Sequence, residues 1–200
     1  QSLEDAMRRA VNQFLVRRNN HKTVIAGYPW FLDWGRDTLI VCRGLITAGF
    51  ISETRSILKQ FAQFEDQGTI PNVIFGSDTK NRDTSDAPLW LIAACQDMVL
   101  QTEDTGLLDE KCGRRPLREV LHSIVDHYMA GTPNGIVMDP ATGLIYSPSH
   151  FTWMDTNFPA GTQFLHFTAI LATGAIFLGG YFGRWRQTPF ATVVMYAVLA

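Results

Sequence analysis

The stretch Ala26-Gly27-Tyr28-Pro29-Trp30-Phe31-Leu32-Asp33-Trp34-Gly35-Arg36-Asp37-Thr38 crowds aromatic rings, Pro, Gly and an Asp/Arg/Asp set into one short loop. A pyranose offers an apolar C–H face on which a ring can stack, and a rim of hydroxyls that guanidinium and carboxylate groups can hydrogen-bond. Tyr28, Trp30 and Trp34 are therefore candidate stacking surfaces, and Asp33, Arg36 and Asp37 are candidate hydroxyl contacts. Each residue alone has an ordinary structural reading, because Trp and Tyr commonly lie in cores and an Arg beside an Asp commonly forms an ion pair. The set together is harder to place in a core, which has little use for such polar crowding.

Outward from this loop the chain reads as helices joined by long connections. Ser2-Leu3-Glu4-Asp5 has the form of a helix cap, and Leu3, Met7, Ala10, Val11, Phe14 and Leu15 recur at helical spacing, which predicts a first helix up to about Arg18. Thr38 to Ala48, ended by Gly49, and Ile51 to Phe64 predict a helical hairpin. Gln67 to Ser85 carries Gly, Pro, Asn, Asp and Ser throughout and reads as a long loop. Pro88 opens a fourth helix through Leu100, and Pro116 opens a fifth to Ala130. Between Gly135 and Tyr146 two short β-type runs flank an Asp139-Pro140 turn ending at Gly143, a hairpin that presents the loop after it.

Composition narrows the function classes. The 200 residues are 46% apolar and 18% charged, a globular balance able to bury a core. A net charge of -2 with scattered Lys and Arg carries no footprint for nucleic acid. Cys42, Cys95 and Cys112 are an odd set without paired spacing, and read as reduced core thiols. Residues 1 to 20 fit neither a signal nor a transit peptide, so a cytoplasmic location is expected. Of the five histidines (His21, His122, His127, His150, His166), only His122 and His127 come close, five apart and off a common helical face. With no phosphate-cradling Gly loop and no G-x-S-x-G elbow either, neither a metal nor a cofactor is expected.

Four blocks in order carry a resemblance: GYPWFLDWGRDT at 27 to 38, IPN at 70 to 72, TSDAPLW at 84 to 90, and FTWMD at 151 to 155. Together they resemble the glucosidase half of glycogen debranching enzymes, the amylo-alpha-1,6-glucosidase family, over about residues 2 to 162. The resemblance implies an all-α fold, part of an (α/α)6 toroid with one small β-hairpin, of which the helices here form roughly half. It implies hydrolysis of α-1,6-linked glucose at the branch stubs of glycogen or a branched α-glucan oligosaccharide, with inversion. It also makes Asp155 the general acid, with Trp153 and Met154 as an apolar wall that raises its carboxyl pKa. Alternatively Asp155 caps a helix at Thr156-Asn157, and Asp86 in TSDAPLW is a rival acid standing where an N-cap is natural. By the same resemblance Arg36 and Asp37 act as a pair gripping the hydroxyls of the nonreducing-end glucose, with Tyr28, Trp30, Trp34 and Trp153 around it.

After Gly161-Thr162 the resemblance stops. Residues 163 to 200 contain no Asp, Glu or Lys, and Phe164 to Phe182 is an uncharged run long enough for a marginal membrane span. A membrane hairpin, a divergent sixth helix, and a frame change or truncation that leaves an unrelated tail all account for this. The family's general base would come from near the end of the toroid, so the 200-residue chain is expected to lack it and to be inactive. A catalytically dead sugar-binding fragment and a membrane-anchored protein are the competing functions. The helix faces carrying Leu89, Ile92 and Val99 are expected to lack partners and to make the chain poorly soluble.

Overall fold

The computed structural model describes residues 2–152 and the backbone of 162–164. Asp155, Trp153 and the apolar stretch beyond Phe164 lie outside the described residues. Among the described residues no helix is long and apolar enough to cross a membrane.

Helix α1 (Leu3–Phe14) starts with a reciprocal cap, in which the Ser2 hydroxyl accepts from the Asp5 amide at 3.1 Å and the Asp5 carboxylate accepts from the Ser2 amide at 3.2 Å. It stops four residues short of the expected Arg18. Strands β1 (Leu15–Arg18) and β2 (His21–Val24) form an antiparallel hairpin in register Leu15 with Val24 and Arg18 with His21. The correction has a local cause: Asn19 takes the left-handed φ of 50° that Asn tolerates, and Val16, Thr23 and Val24 favour the extended backbone. Helix α1 has no buried residue, and is pinned by Arg8, which donates to the Ala48 carbonyl at 2.8 Å and covers the Phe50 ring at 4.7 Å.

Strand β3 (Asp33–Trp34) leads into α2 (Gly35–Thr47), followed by α3 (Ile51–Ala62), β4 (Val73–Ile74) and α4 (Ala87–Thr102). A 3₁₀ turn (Thr105–Asp109), the short pair β5 (Lys111–Cys112) and β6 (Arg115–Pro116), and α5 (Leu117–Ala130) complete the core. Strands β7 (Val137–Met138) and β8 (Ile145–Ser147) form the expected hairpin, extended by β9 (Thr162–Phe164) into a three-stranded antiparallel sheet. The described chain is thus helix-rich with several small sheets, rather than helical apart from one hairpin.

Helix α4 is apolar around most of its circumference and contacts α2, α3 and α5. A helix apolar all round is an interior helix. Leu89, Ile92 and Val99, expected to lack partners, are accordingly buried in the core. The facing helices supply Leu39, Cys42 and Leu45 from α2, Ile57 and Phe61 from α3, and Leu121, Ile124 and Tyr128 from α5. The three thiols are buried and unpaired. Burial pushes Cys42 and Cys95 well up, and Cys112 up to about 11. A disulfide-exchange reagent at pH 8 should therefore find no reactive thiol in the folded chain and three after denaturation, read by absorbance. A fast-reacting thiol in the native protein would contradict this burial.

Candidate functional site

The aromatic loop is held from beneath by Arg18. Its guanidinium forks onto Asp33, Nε to Oδ2 at 2.5 Å and Nη2 to Oδ1 at 2.7 Å, and reaches on to the Gly76 carbonyl at 2.7 Å. Thr23 adds a third donor to Asp33 at 3.2 Å. Burial pushes the Asp33 carboxyl above its usual range, against the pull of Arg18 and Thr23. Asp33 is fully buried, so among the expected hydroxyl contacts it serves to tie β3 to the β1–β2 hairpin.

Beyond Asp33 the loop faces outward. Trp30 is 83% exposed and Tyr28 47%, and the Tyr28 ring meets Phe14 of α1 edge-on with centroids 6.4 Å apart. An exposed Trp beside an exposed Tyr suits a stacking surface better than a core. Trp34 is half-buried at the N-cap of α2, where its side chain makes no cap bond. The cap comes instead from the IPN segment, whose Asn72 carbonyl accepts from the Gly35 amide at 2.8 Å, while β3 pairs with β4 next to it.

The close approach of these segments explains Gly35. A Cβ there would lie 2.7 Å from the Pro71 carbonyl oxygen and 3.4 Å from Cβ of Ala87. Gly35→Ala should cost about 1–3 kcal/mol through the forced shift of the IPN segment against α2. Urea unfolding measures it, and a stability equal to wild type would show that the segment yields freely.

Arg36 and Asp37 do not pair with one another. Arg36 donates through Nε to Oδ2 of Asp86, a contact between side chains 16% and 2% exposed. The other carboxylate oxygen of Asp86 accepts from Thr84 at 2.9 Å. Asp86 thus accepts at both oxygens, and Thr84, not Asp86, takes the Ala87 amide at the start of α4, at 3.3 Å. Asp37 stands exposed in the first turn of α2, with no hydrogen-bond or ion-pair partner among the described residues. The first turns of α2 and α4 therefore bring the GRD and TSD motifs together.

Ser85, next to Asp86, is the knot of this region. Its amide donates to the Phe151 carbonyl at 2.8 Å, its carbonyl accepts from the Tyr128 hydroxyl at 2.8 Å, and its own hydroxyl receives the Ser147 hydroxyl at 2.8 Å. The described end of the FTWMD block thus lies against TSD. Sequence reasoning missed Arg18, Thr23, Thr84 and Ser85. Arg18, Thr23 and Ser85 act through partners distant in sequence, whereas Thr84 acts on its near neighbours Asp86 and Ala87, a capping pattern with a local mark. Among the described residues no His, Cys, Asp and Glu cluster could hold a metal ion.

Comparison with known proteins identifies the family. A family model for amylo-alpha-1,6-glucosidase matches residues 9–168. A glycogen debranching enzyme of Saccharomyces cerevisiae is 27% identical over 186 residues, covering 68% of this chain and 12% of the yeast protein. This chain therefore spans a small part of that relative's length. With its motif loops folded against one another and most of its length matched, the chain belongs to the amylo-alpha-1,6-glucosidase family.

Proposed function

We propose that this chain carries the wall of a glucose pocket from an inverting α-1,6-glucosidase of the (α/α)6 toroid class, acting on the branch stubs of glycogen-like α-glucans. The observation that carries the reading is the buried Arg36–Asp86 pair, which gathers the GRD and TSD motifs at the first turns of α2 and α4 and leaves Asp37 exposed next to Arg36. In this arrangement Trp30 and Tyr28 stack on the sugar, Asp37 accepts from its hydroxyls, and Asp86 fixes the Arg36 guanidinium so that the N–H groups without a partner among the described residues donate to them. Asp86 is a holder and not the acid, since both of its oxygens are taken up as acceptors.

Asp155 is then the general acid that protonates the leaving oxygen. An inverting mechanism sets a second carboxylate about 6.5–9.5 Å away to activate water on the opposite face of the ring. The tie between Ser85 and Phe151 supports a place for Asp155 near this wall, because the chain enters the block containing it from beside Asp86.

The test is binding of a glucose-like iminosugar by calorimetry. Asp37→Ala should weaken it by about 1.5–3 kcal/mol, the worth of a charge-assisted hydrogen bond. Because Asp37 is exposed and pairs with nothing among the described residues, the same substitution should cost the fold no more than about 1 kcal/mol, the worth of a carboxylate in the first turn of a helix. Unchanged affinity in a folded variant would remove Asp37 from the pocket, and a wild-type chain that binds no glucose analogue would overturn the reading.

A further inference from the structure

Asn72 bonds through both its main-chain groups and, among the described residues, through no side-chain atom. Its amide donates to the Asn81 carbonyl at 2.8 Å, and its carbonyl accepts from the Gly35 amide at 2.8 Å. Its side chain, on a residue only 8% exposed, ends in an Oδ1 that is buried with no hydrogen-bond partner. Buried amides are rarely left unsatisfied, because the lost hydration has no return in folding alone. An apolar residue of the same shape would suit a purely structural position better.

The place of this amide gives it a role. Gly35 and Pro71 approach so closely that a Cβ on Gly35 would meet the Pro71 oxygen at 2.7 Å, and Ala87 Cβ stands 3.4 Å from the same point. Asn72 follows Pro71, Arg36 follows Gly35, and Asp86 precedes Ala87. Through its carbonyl on the Gly35 amide, Asn72 belongs to the wedge where the first turns of α2 and α4 meet, one residue from the Arg36 that Asp86 holds. We propose that Asn72 is a sugar-recognising residue, whose side-chain amide exchanges a hydrogen bond with one hydroxyl of the glucose unit bound against Arg36. A hydroxyl both donates and accepts, so either end of the amide finds a partner in it. This rests on the glucose-pocket reading and adds to it a neutral contact that selects for a hydroxyl at one ring position. Sites built to hydrogen-bond a hydroxyl reject the analogue that lacks it, because the site's own polar group is then left buried and unpaired.

Asn72→Leu separates this from a structural role. The variant should keep or gain thermal stability, since it removes an unsatisfied buried amide and keeps the branched outline of the side chain. Its affinity for a glucose-like iminosugar should fall by about threefold to tenfold, the worth of one neutral hydrogen bond. Measured against a series of monodeoxy iminosugars, the penalty should vanish for one member and persist for the others. Equal affinity in the variant and the wild type overturns the inference, whatever the stability. A variant that loses stability and binds every analogue more weakly by one common factor also overturns it, because the amide is then part of the fold. A wild-type chain that binds none of these probes overturns the pocket reading itself, an outcome distinct from wild-type binding that Asn72→Leu leaves untouched.

Discussion

Asp155→Asn is expected to lower glucose release from an α-1,6-branched dextrin by about 10²–10⁴-fold while leaving iminosugar affinity nearly intact. The amide keeps the size of the side chain and removes the proton that the leaving oxygen must receive. Protein carrying the amylo-alpha-1,6-glucosidase region in full is the material for the assay, with calorimetry on the same preparation. A variant retaining more than a tenth of the wild-type rate would transfer the acid role elsewhere. A variant that loses rate and inhibitor affinity together would make Asp155 a binding or structural residue.

Asp86→Ala should cost folding about 3–5 kcal/mol, because it strands a mostly buried guanidinium. Arg36 would lose its counter-charge, and Thr84 would lose the acceptor for its hydroxyl while still capping Ala87. Denaturant unfolding reads the effect directly. A loss under about 1 kcal/mol would mean that Arg36 is rescued by solvent, which its burial argues against. Asp37→Ala is the opposite case, costing binding and little stability, and the pair of measurements divides the two aspartates flanking Arg36 in space.

The helical core is legible in the sequence because its signals are local. The apolar spacing of Leu39, Cys42, Leu45 and Ile46, the Gly49 that follows α2, and the prolines at the starts of α4 and α5 each act within a few residues. The first helix overran because Leu15 continues its apolar rhythm into what is a strand, and periodicity alone cannot weigh that against the Asn19 turn. The burial of Leu89, Ile92 and Val99 was misjudged for a different reason. Whether a face finds a partner depends on how α2, α3 and α5 close around α4, and that is a property of the assembled fold.

The candidate site divides in the same way. The residue types of the aromatic loop announce a polar, ring-rich surface, and Trp30, Tyr28 and Asp37 do face outward. The pairing does not follow from adjacency: Arg36 turns away from its neighbour Asp37 to a carboxylate 50 positions on, and Asp33 is engaged by Arg18, 15 positions back. Buried ion pairs are selected by where the first turns of helices come to rest, for which a single sequence carries no short-range mark.

Ser85 sets the order in which this region can assemble. Its partners lie 43, 62 and 66 positions away at Tyr128, Ser147 and Phe151. Closing loops of that length costs chain entropy before any contact returns it, whereas the α2–α3 hairpin closes over a few residues. The helical pair can form while the later third of the chain is still open, and the Ser85 knot is tied last. Damage at the knot is then expected to raise the unfolding rate more than it lowers the folding rate, which stopped-flow measurements in denaturant read.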